Sequence, residues 1–203
     1  NNLLETAVVC DAVATPLKVI KKARISSFDK VGVIGAGGGL GIHMLKMLKL
    51  NNISAIGIDT KTEKFNTCNE NGAEFSVSPM ENDLKNKIAD FSKSNDLDVV
   101  IDFVSSKSSL ELGCSILGKG GRLVTLGGSG EQFLANSADM LVKELELIGS
   151  RYCTKQELKE SLDLYARGLI EPLVSVKTDF DGAEGLHDKI EKGEITGRAG
   201  ILI

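Results

Sequence analysis

The sequence predicts an α/β protein built on a doubly wound parallel sheet of Rossmann type, flanked at both ends by segments of different pattern. Three observations carry that expectation. From residue 30 onward short β-rich runs alternate with longer helix-period runs, the order of parallel strands joined by crossover helices. The stretch "GAGGGLG", residues 35–41, sets five glycines in seven positions between the first such strand and the first such helix. Beyond about residue 152, and before residue 26, the alternation is absent.

Taken in order, "NLLETAVVCDAVATPLKVIKKA" is helical in pattern, with Pro16 as an internal break or a first-turn residue. "KVGVIGA" reads as a buried strand and "GLGIHMLKMLKLN" as the helix that leaves the glycines. "SAIGID" is a strand, "TKTEKFNTCNENG" a helix ending near Gly72, and "GAEFSV" a brief strand. "MENDLKNKIADFSKS" has a polar-faced helix pattern, "LDVVIDFV" is an apolar strand, "SKSSLELGCSIL" a helix and "GGRLVTLGG" a strand. "VKELELIGS" suits an edge strand. "KQELKESLDLYARG" is an amphipathic helix with Gly168 placed as its C-cap, and the remainder reads strand, helix, strand.

Composition narrows the function classes. A formal net charge of -4 over 203 residues gives no broad positive field, which argues against nucleic acid as a partner. No apolar run reaches the length of a bilayer crossing, so no membrane is expected. The N-terminus has neither an initiating Met nor the order of a secretory signal, and reads as the interior of a longer chain. Cys10, Cys68, Cys114 and Cys153 lie far apart with no CxxC pair; each is expected as a small buried hydrophobe, which favours the cytoplasm.

The glycines sit where a parallel sheet directs its strand ends at a crevice and a helix N-terminus offers free N–H groups. Ala36, Gly38 and Gly41 fill the three positions of an AxGxxG variant of the dinucleotide fingerprint, with Gly35, Gly37, Gly39 and Leu40 completing the turn. Such a turn alone also fits a close strand-to-helix passage without a ligand. Asp59 ends the second strand 18 residues after Gly41, where a carboxylate would accept from the adenosine ribose of NAD, although a strand-end Asp also serves as a turn former. Lys61 and Lys64 follow; the carboxylate would repel a 2′-phosphate, so NAD is expected before NADP.

In order along the chain, "VGVIGAGGGLGIHMLKMLK", "GIDTKTEKF", "NGAEF", "DVVIDFVSS", "GKGGRLVTLGG", "ELIGSRY" and "EKGEITGRAGILI" resemble the cofactor-binding part of the medium-chain zinc-containing alcohol dehydrogenases. The resemblance implies a Rossmann domain over 26–152, lead-in helices of the catalytic domain over 1–25 and a return segment of that domain over 153–203. It implies NAD, zinc in the intact enzyme, a small alcohol or carbonyl substrate, and a homo-oligomer. Asp11, four residues before Thr15, falls at the position of a protein zinc ligand. Arg198 matches the family's "GR" and would pair with the pyrophosphate, while Phe103, Val104, Leu126 and Gly127 lie in segments that approach the nicotinamide and ribose. No catalytic residue is assigned in this chain, and neither His43 nor His187 receives a role. A zinc-free reductase of the same superfamily and a non-enzymatic nucleotide-binding module stand as alternatives.

Overall fold

The computed structural model describes residues 3–94 and 96–202; Asn1, Asn2, Asn95 and Ile203 lie outside the described residues. The chain opens with α1 (Leu3–Val8), a π turn over Val9–Val13, and α2 (Ala14–Lys22). Pro16 is the third residue of α2, where it lacks an N–H to donate and its ring crowds the carbonyl four residues back. The widened turn immediately upstream absorbs that defect without ending the helical path.

Six parallel strands follow: β1 (Lys30–Ile34), β2 (Ser54–Ile58), β3 (Ser76–Val77), β4 (Leu97–Asp102), β5 (Leu117–Thr125) and β6 (Glu146–Gly149). Their order is β3-β2-β1-β4-β5-β6, with every neighbouring pair parallel. The crossovers contain α3 (Gly41–Leu50), a short 3-10 turn leading into α4 (Phe65–Glu70), α5 (Leu84–Ser92), α6 (Lys107–Ser115) and α7 (Ser137–Lys143). Because strand side chains alternate between faces, the sheet feeds two cores. Val31, Val33, Ala55, Val99, Ile101 and Val124 pack under α2 and α3, whereas Ile56, Ile58, Val100 and Leu123 pack under α5 and α6. The strand order reverses between β1 and β4, so the loops that leave these two strands diverge and open a crevice.

The C-terminal part begins with α8 (Lys155–Ala166), started by the Thr154 and Glu157 capping box. Gly168 (φ 67°) ends it, with its N–H on Tyr165 O at 2.9 Å and the Leu169 N–H on Leu164 O at 3.0 Å, a Schellman motif. β7 (Val174–Thr178) and β8 (Arg198–Ile201), joined through α9 (Ala183–Glu191), then form a separate two-stranded parallel sheet. Among the described residues no helix is long and apolar enough to cross a membrane.

Several boundaries depart from the sequence expectation. The strand expected over 72–77 is only Ser76–Val77, and β5 starts upstream of its expected glycines, at Leu117, and stops at Thr125. The edge strand expected over 142–150 is Glu146–Gly149, because α7 occupies residues through Lys143 and Glu144 turns out of it at φ 53°. Burial holds for Cys68, whose thiol is pushed up to about 11 by desolvation, but Cys114 and Cys153 are half-buried and Cys10 is exposed. Cys10 faces outward because its neighbours Val9 and Ala12 take the core-facing positions of the π turn.

Arg122 on β5 joins the lead-in to the sheet. Its Nη1 donates to the Ala23 carbonyl at 2.6 Å and to the Arg24 carbonyl at 3.1 Å, and Nη2 pairs with Asp29. Both partners of that ion pair are 12% exposed, so removal of the guanidinium leaves a carboxylate and two carbonyls poorly hydrated. Arg122→Met is expected to lower unfolding stability by about 2–4 kcal/mol in urea titrations, well beyond the effect of removing a surface pair.

Candidate functional site

The glycine turn is shaped by two close approaches. Gly35 (φ 76°) donates its N–H to Ile58 O at 2.9 Å, which carries the chain off β1 while still bonded to the end of β2. A Cβ on Gly41 would stand 2.1 Å from Gly35 O and 2.7 Å from Ala36 Cα, so only glycine lets α3 start against the turn. Leu40 at the N-cap supplies no side-chain acceptor, and the positive end of α3 therefore faces the crevice without a side-chain cap.

Asp59 follows β2 on the opposite side. Its Oδ2 accepts from Gly37 N at 2.8 Å and its Oδ1 from Lys61 N at 3.0 Å, which leaves lone-pair capacity on both oxygens. Lys64 is buried; its stem covers Gly37, and its Nζ donates to Ile195 O at 2.7 Å. The ammonium thus anchors the C-terminal return instead of standing free.

His43 makes a second tie to that return. It is fully buried in the first turn of α3, with Nδ1 2.7 Å from Gly39 O and Nε2 3.0 Å from Leu173 N. These partners fix the tautomer: Nδ1–H donates to the carbonyl, and Nε2 accepts from the amide. Desolvation lowers its pKa to about 4. His187, in contrast, is exposed on α9.

Across the switch point, Asp102 at the end of β4 is fully buried. It accepts from Val104 N at 2.8 Å, Ser105 N at 2.9 Å and Ser109 Oγ at 2.7 Å. The Ser105 backbone sits at φ 54°, and its hydroxyl meets Thr125 Oγ1 at 2.6 Å and accepts from Gly127 N at 2.8 Å. A Cβ on Gly127 would lie 2.4 Å from Val104 O. The loops after β4 and β5, which carry Phe103, Val104, Leu126 and Gly127, are locked together by these contacts.

Ten of the residues expected to bind cofactor converge on one crevice of about 410 Å³: Gly35, Gly38, Gly39, Leu40, Gly41, Asp59, Lys64, Phe103, Val104 and Arg198. Leu126 and Gly127 line an adjoining crevice of about 690 Å³, which shares Leu40 and contains Asp11. Ala36 and Gly37 line neither; both are buried behind the turn. The sequence reading missed Gly193, which caps α9 and enters the first crevice, and the 149–152 loop with Lys18 and Lys22, which lines the second. "EKGE" marks Gly193 as a helix stop, but nothing in the sequence says where that helix ends in space.

The glycine turn and the crevice it faces fit a dinucleotide: the N-terminus of α3 carries no side-chain cap, and bare Gly39 lets the Arg198 guanidinium lie against the turn, since a Cβ there would meet its Nε at 2.8 Å. A metal has no such accommodation. Among the described residues no three His, Cys, Asp or Glu side chains converge. Asp11, expected as a zinc ligand, has Oδ2 paired with Arg198 and Oδ1 accepting from Thr15 Oγ1 at 3.3 Å.

A doubly wound sheet with a glycine turn and an acidic strand end at its switch point defines the dinucleotide-binding class of α/β proteins. Within it the chain belongs to the zinc-binding dehydrogenase family of the medium-chain alcohol dehydrogenase superfamily, whose family model matches residues 39–167. It is 25% identical over 190 residues to an NAD-dependent alcohol dehydrogenase of Sulfurisphaera tokodaii, covering 93% of this chain and 54% of that protein. It is 27% identical over 182 residues to an acryloyl-coenzyme A reductase of Metallosphaera sedula, covering 87% and 52%. The crystal structure of an alcohol dehydrogenase from Aeropyrum pernix superimposes with a TM-score of 0.87 at 28% identity, over 96% of this chain and 56% of that one. The chain spans about half the length of the curated relatives it matches.

Two outcomes follow from the turn. Gly41→Ala is expected to displace α3 from the turn and to cost several kcal/mol, about 3 or more, in chemical unfolding. His43 titrates near 4 when folded against an ordinary value near 6.5, so between these values the unfolded chain binds more protons. Its contribution of about 3 kcal/mol is fully present above about pH 6.5 and is lost as pH falls to about 4. Urea titrations of parent and His43→Gln chains across that window should show this extra slope in the parent alone.

Proposed function

We propose that this chain is the NAD-binding part of an alcohol dehydrogenase-type oxidoreductase, which interconverts a small alcohol and its carbonyl. The observation that carries the reading is Asp59, held by the glycine turn itself at the mouth of the first crevice. In this reading the adenosine ribose hydroxyls donate to Asp59, whose oxygens retain acceptor capacity. The pyrophosphate settles against the open N-terminus of α3 and Arg198, and the nicotinamide end runs past Leu40 toward Leu126, Gly127 and the 149–152 loop. The cofactor supplies the hydride acceptor; the chain's own contribution is to bind it, orient it and wall off one side.

NAD is favoured over NADP because a 2′-phosphate would meet the Asp59 carboxylate, and of the two lysines that line the crevice, Lys61 and Lys64, the Lys64 ammonium is spent on Ile195. Residues 1–25 and 153–203 are read as strips of the catalytic domain around the nucleotide domain over 26–152. Zinc in the complete protein would draw ligands from outside the described residues, since no three His, Cys, Asp or Glu side chains converge among these. The similarity to an acryloyl-coenzyme A reductase supports a second reading as part of a zinc-free reductase. Metal analysis of the complete protein separates the two: stoichiometric zinc excludes the reductase reading, and its absence with turnover excludes the zinc reading.

Among the described residues β6 is an edge of the sheet, and its own Leu147 is 41% exposed; pairing with a second copy would cover both. Sedimentation at micromolar concentration is expected to give a dimer; a monomer excludes this use of the edge.

Titration with NADH and NADPH, followed by fluorescence, tests the main reading. NADH is expected to bind more tightly than NADPH, and Asp59→Ala to weaken NADH by about tenfold to a hundredfold, the value of hydrogen bonds to a charged acceptor. Equal affinity for both nucleotides, untouched by the substitution, would overturn the role of Asp59.

A further inference from the structure

We propose that Asp11 is the positioning residue of Arg198, its carboxylate holding the guanidinium against the glycine turn where the pyrophosphate of a dinucleotide would lie; this rests on the nucleotide-binding reading above. The two residues are 187 positions apart and belong to different crevices, Asp11 to the second and Arg198 to the first. Their ion pair links the two crevices, which share Leu40 as a lining residue.

The backbone brings Arg198 to the turn but does not aim its side chain. Gly197 (φ 73°) donates its N–H to Gly37 O at 3.2 Å, and Arg198 N donates to Leu173 O at 2.9 Å. From that fixed point a long, flexible side chain could extend into solvent. Instead its Nε and Cζ lie 2.8 Å and 3.0 Å from where a Gly39 Cβ would be, and Nη2 is held by Asp11 Oδ2. The carboxylate is oriented in turn by Thr15, which is 3% exposed one helical turn along and donates to Oδ1. The orientation therefore passes from a buried hydroxyl through Asp11 to the guanidinium.

A guanidinium carries five N–H donors, and the pair with Asp11 uses one of them. Because the group already rests against Gly39, it can meet a phosphate without leaving Asp11, so the carboxylate acts as an anchor and not as a competitor. The side chains of the pair are 33% and 42% exposed, a setting in which an ion pair adds little stability. What it contributes is a fixed rotamer, and the expected effect on binding is correspondingly modest.

The test uses this chain with NADH, ADP and adenosine, titrated by fluorescence or calorimetry. Asp11→Ala is expected to weaken NADH and ADP by about three- to tenfold while adenosine, which has no phosphate, changes by less than about twofold. Asp11→Asn retains an oxygen that accepts from Nη2 and should return both phosphate ligands to within about twofold of the parent. On an Arg198→Ala background, Asp11→Ala should add nothing further. A general loss of folding would weaken all three ligands and would not be rescued by Asn. If Asp11→Ala leaves NADH unchanged or tightens it, or weakens adenosine equally, the positioning role is overturned while the nucleotide reading stands. A parent chain that binds none of the three overturns both.

Discussion

The close approach of α3 to the turn that leaves β1 is the constraint on which the rest of the site depends. With the Gly41 Cα pressed between Gly35 O and Ala36, the helix can begin within one turn of the strand end. That fixes the direction of its unsatisfied amides and sets His43 facing inward in the first turn. A side chain at this one position would tilt the helix away, and the crevice, the buried imidazole and the contact with the return segment would all lose their geometry together.

The second organising principle is that the turn is held from behind by the C-terminal return. Leu173 donates to His43, Ile195 accepts from Lys64, Gly197 donates to Gly37, and Arg198 lies over Gly39. These contacts turn two residues with apparent chemical potential, a histidine and a lysine, toward holding backbone in place. His43 illustrates the point: complete burial with both ring nitrogens bonded keeps it neutral and unavailable as a proton carrier.

Much of this was legible beforehand because its signals are local. Strand and helix periods gave the sheet, the glycine spacing gave the turn, and the offset from Gly41 to Asp59 brought the carboxylate to the mouth of the crevice. The failures have a common physical origin in contacts between distant residues. Nothing near His43 in sequence announces Leu173, and nothing near Asp11 announces Arg198. Lys64 lines the crevice, but only the fold reveals that its ammonium bonds the carbonyl of Ile195. Likewise Ser105, a non-glycine residue at positive φ, gives no sequence sign that it bridges the loops after β4 and β5.

The tie between Lys64 and Ile195 spans 131 residues, and its neighbours span comparable distances. During synthesis the sheet strands from β1 through β6 leave the ribosome before α9 and β8 exist, so the nascent domain passes through an interval with its sheet complete and one crevice wall absent. In that interval the glycine turn lacks the Arg198 side chain that lies over Gly39, and its crevice lacks Gly193. Completion of the crevice is thereby deferred until α9 and β8 have been made, and the return strand acts as a timing element of biogenesis as well as a wall.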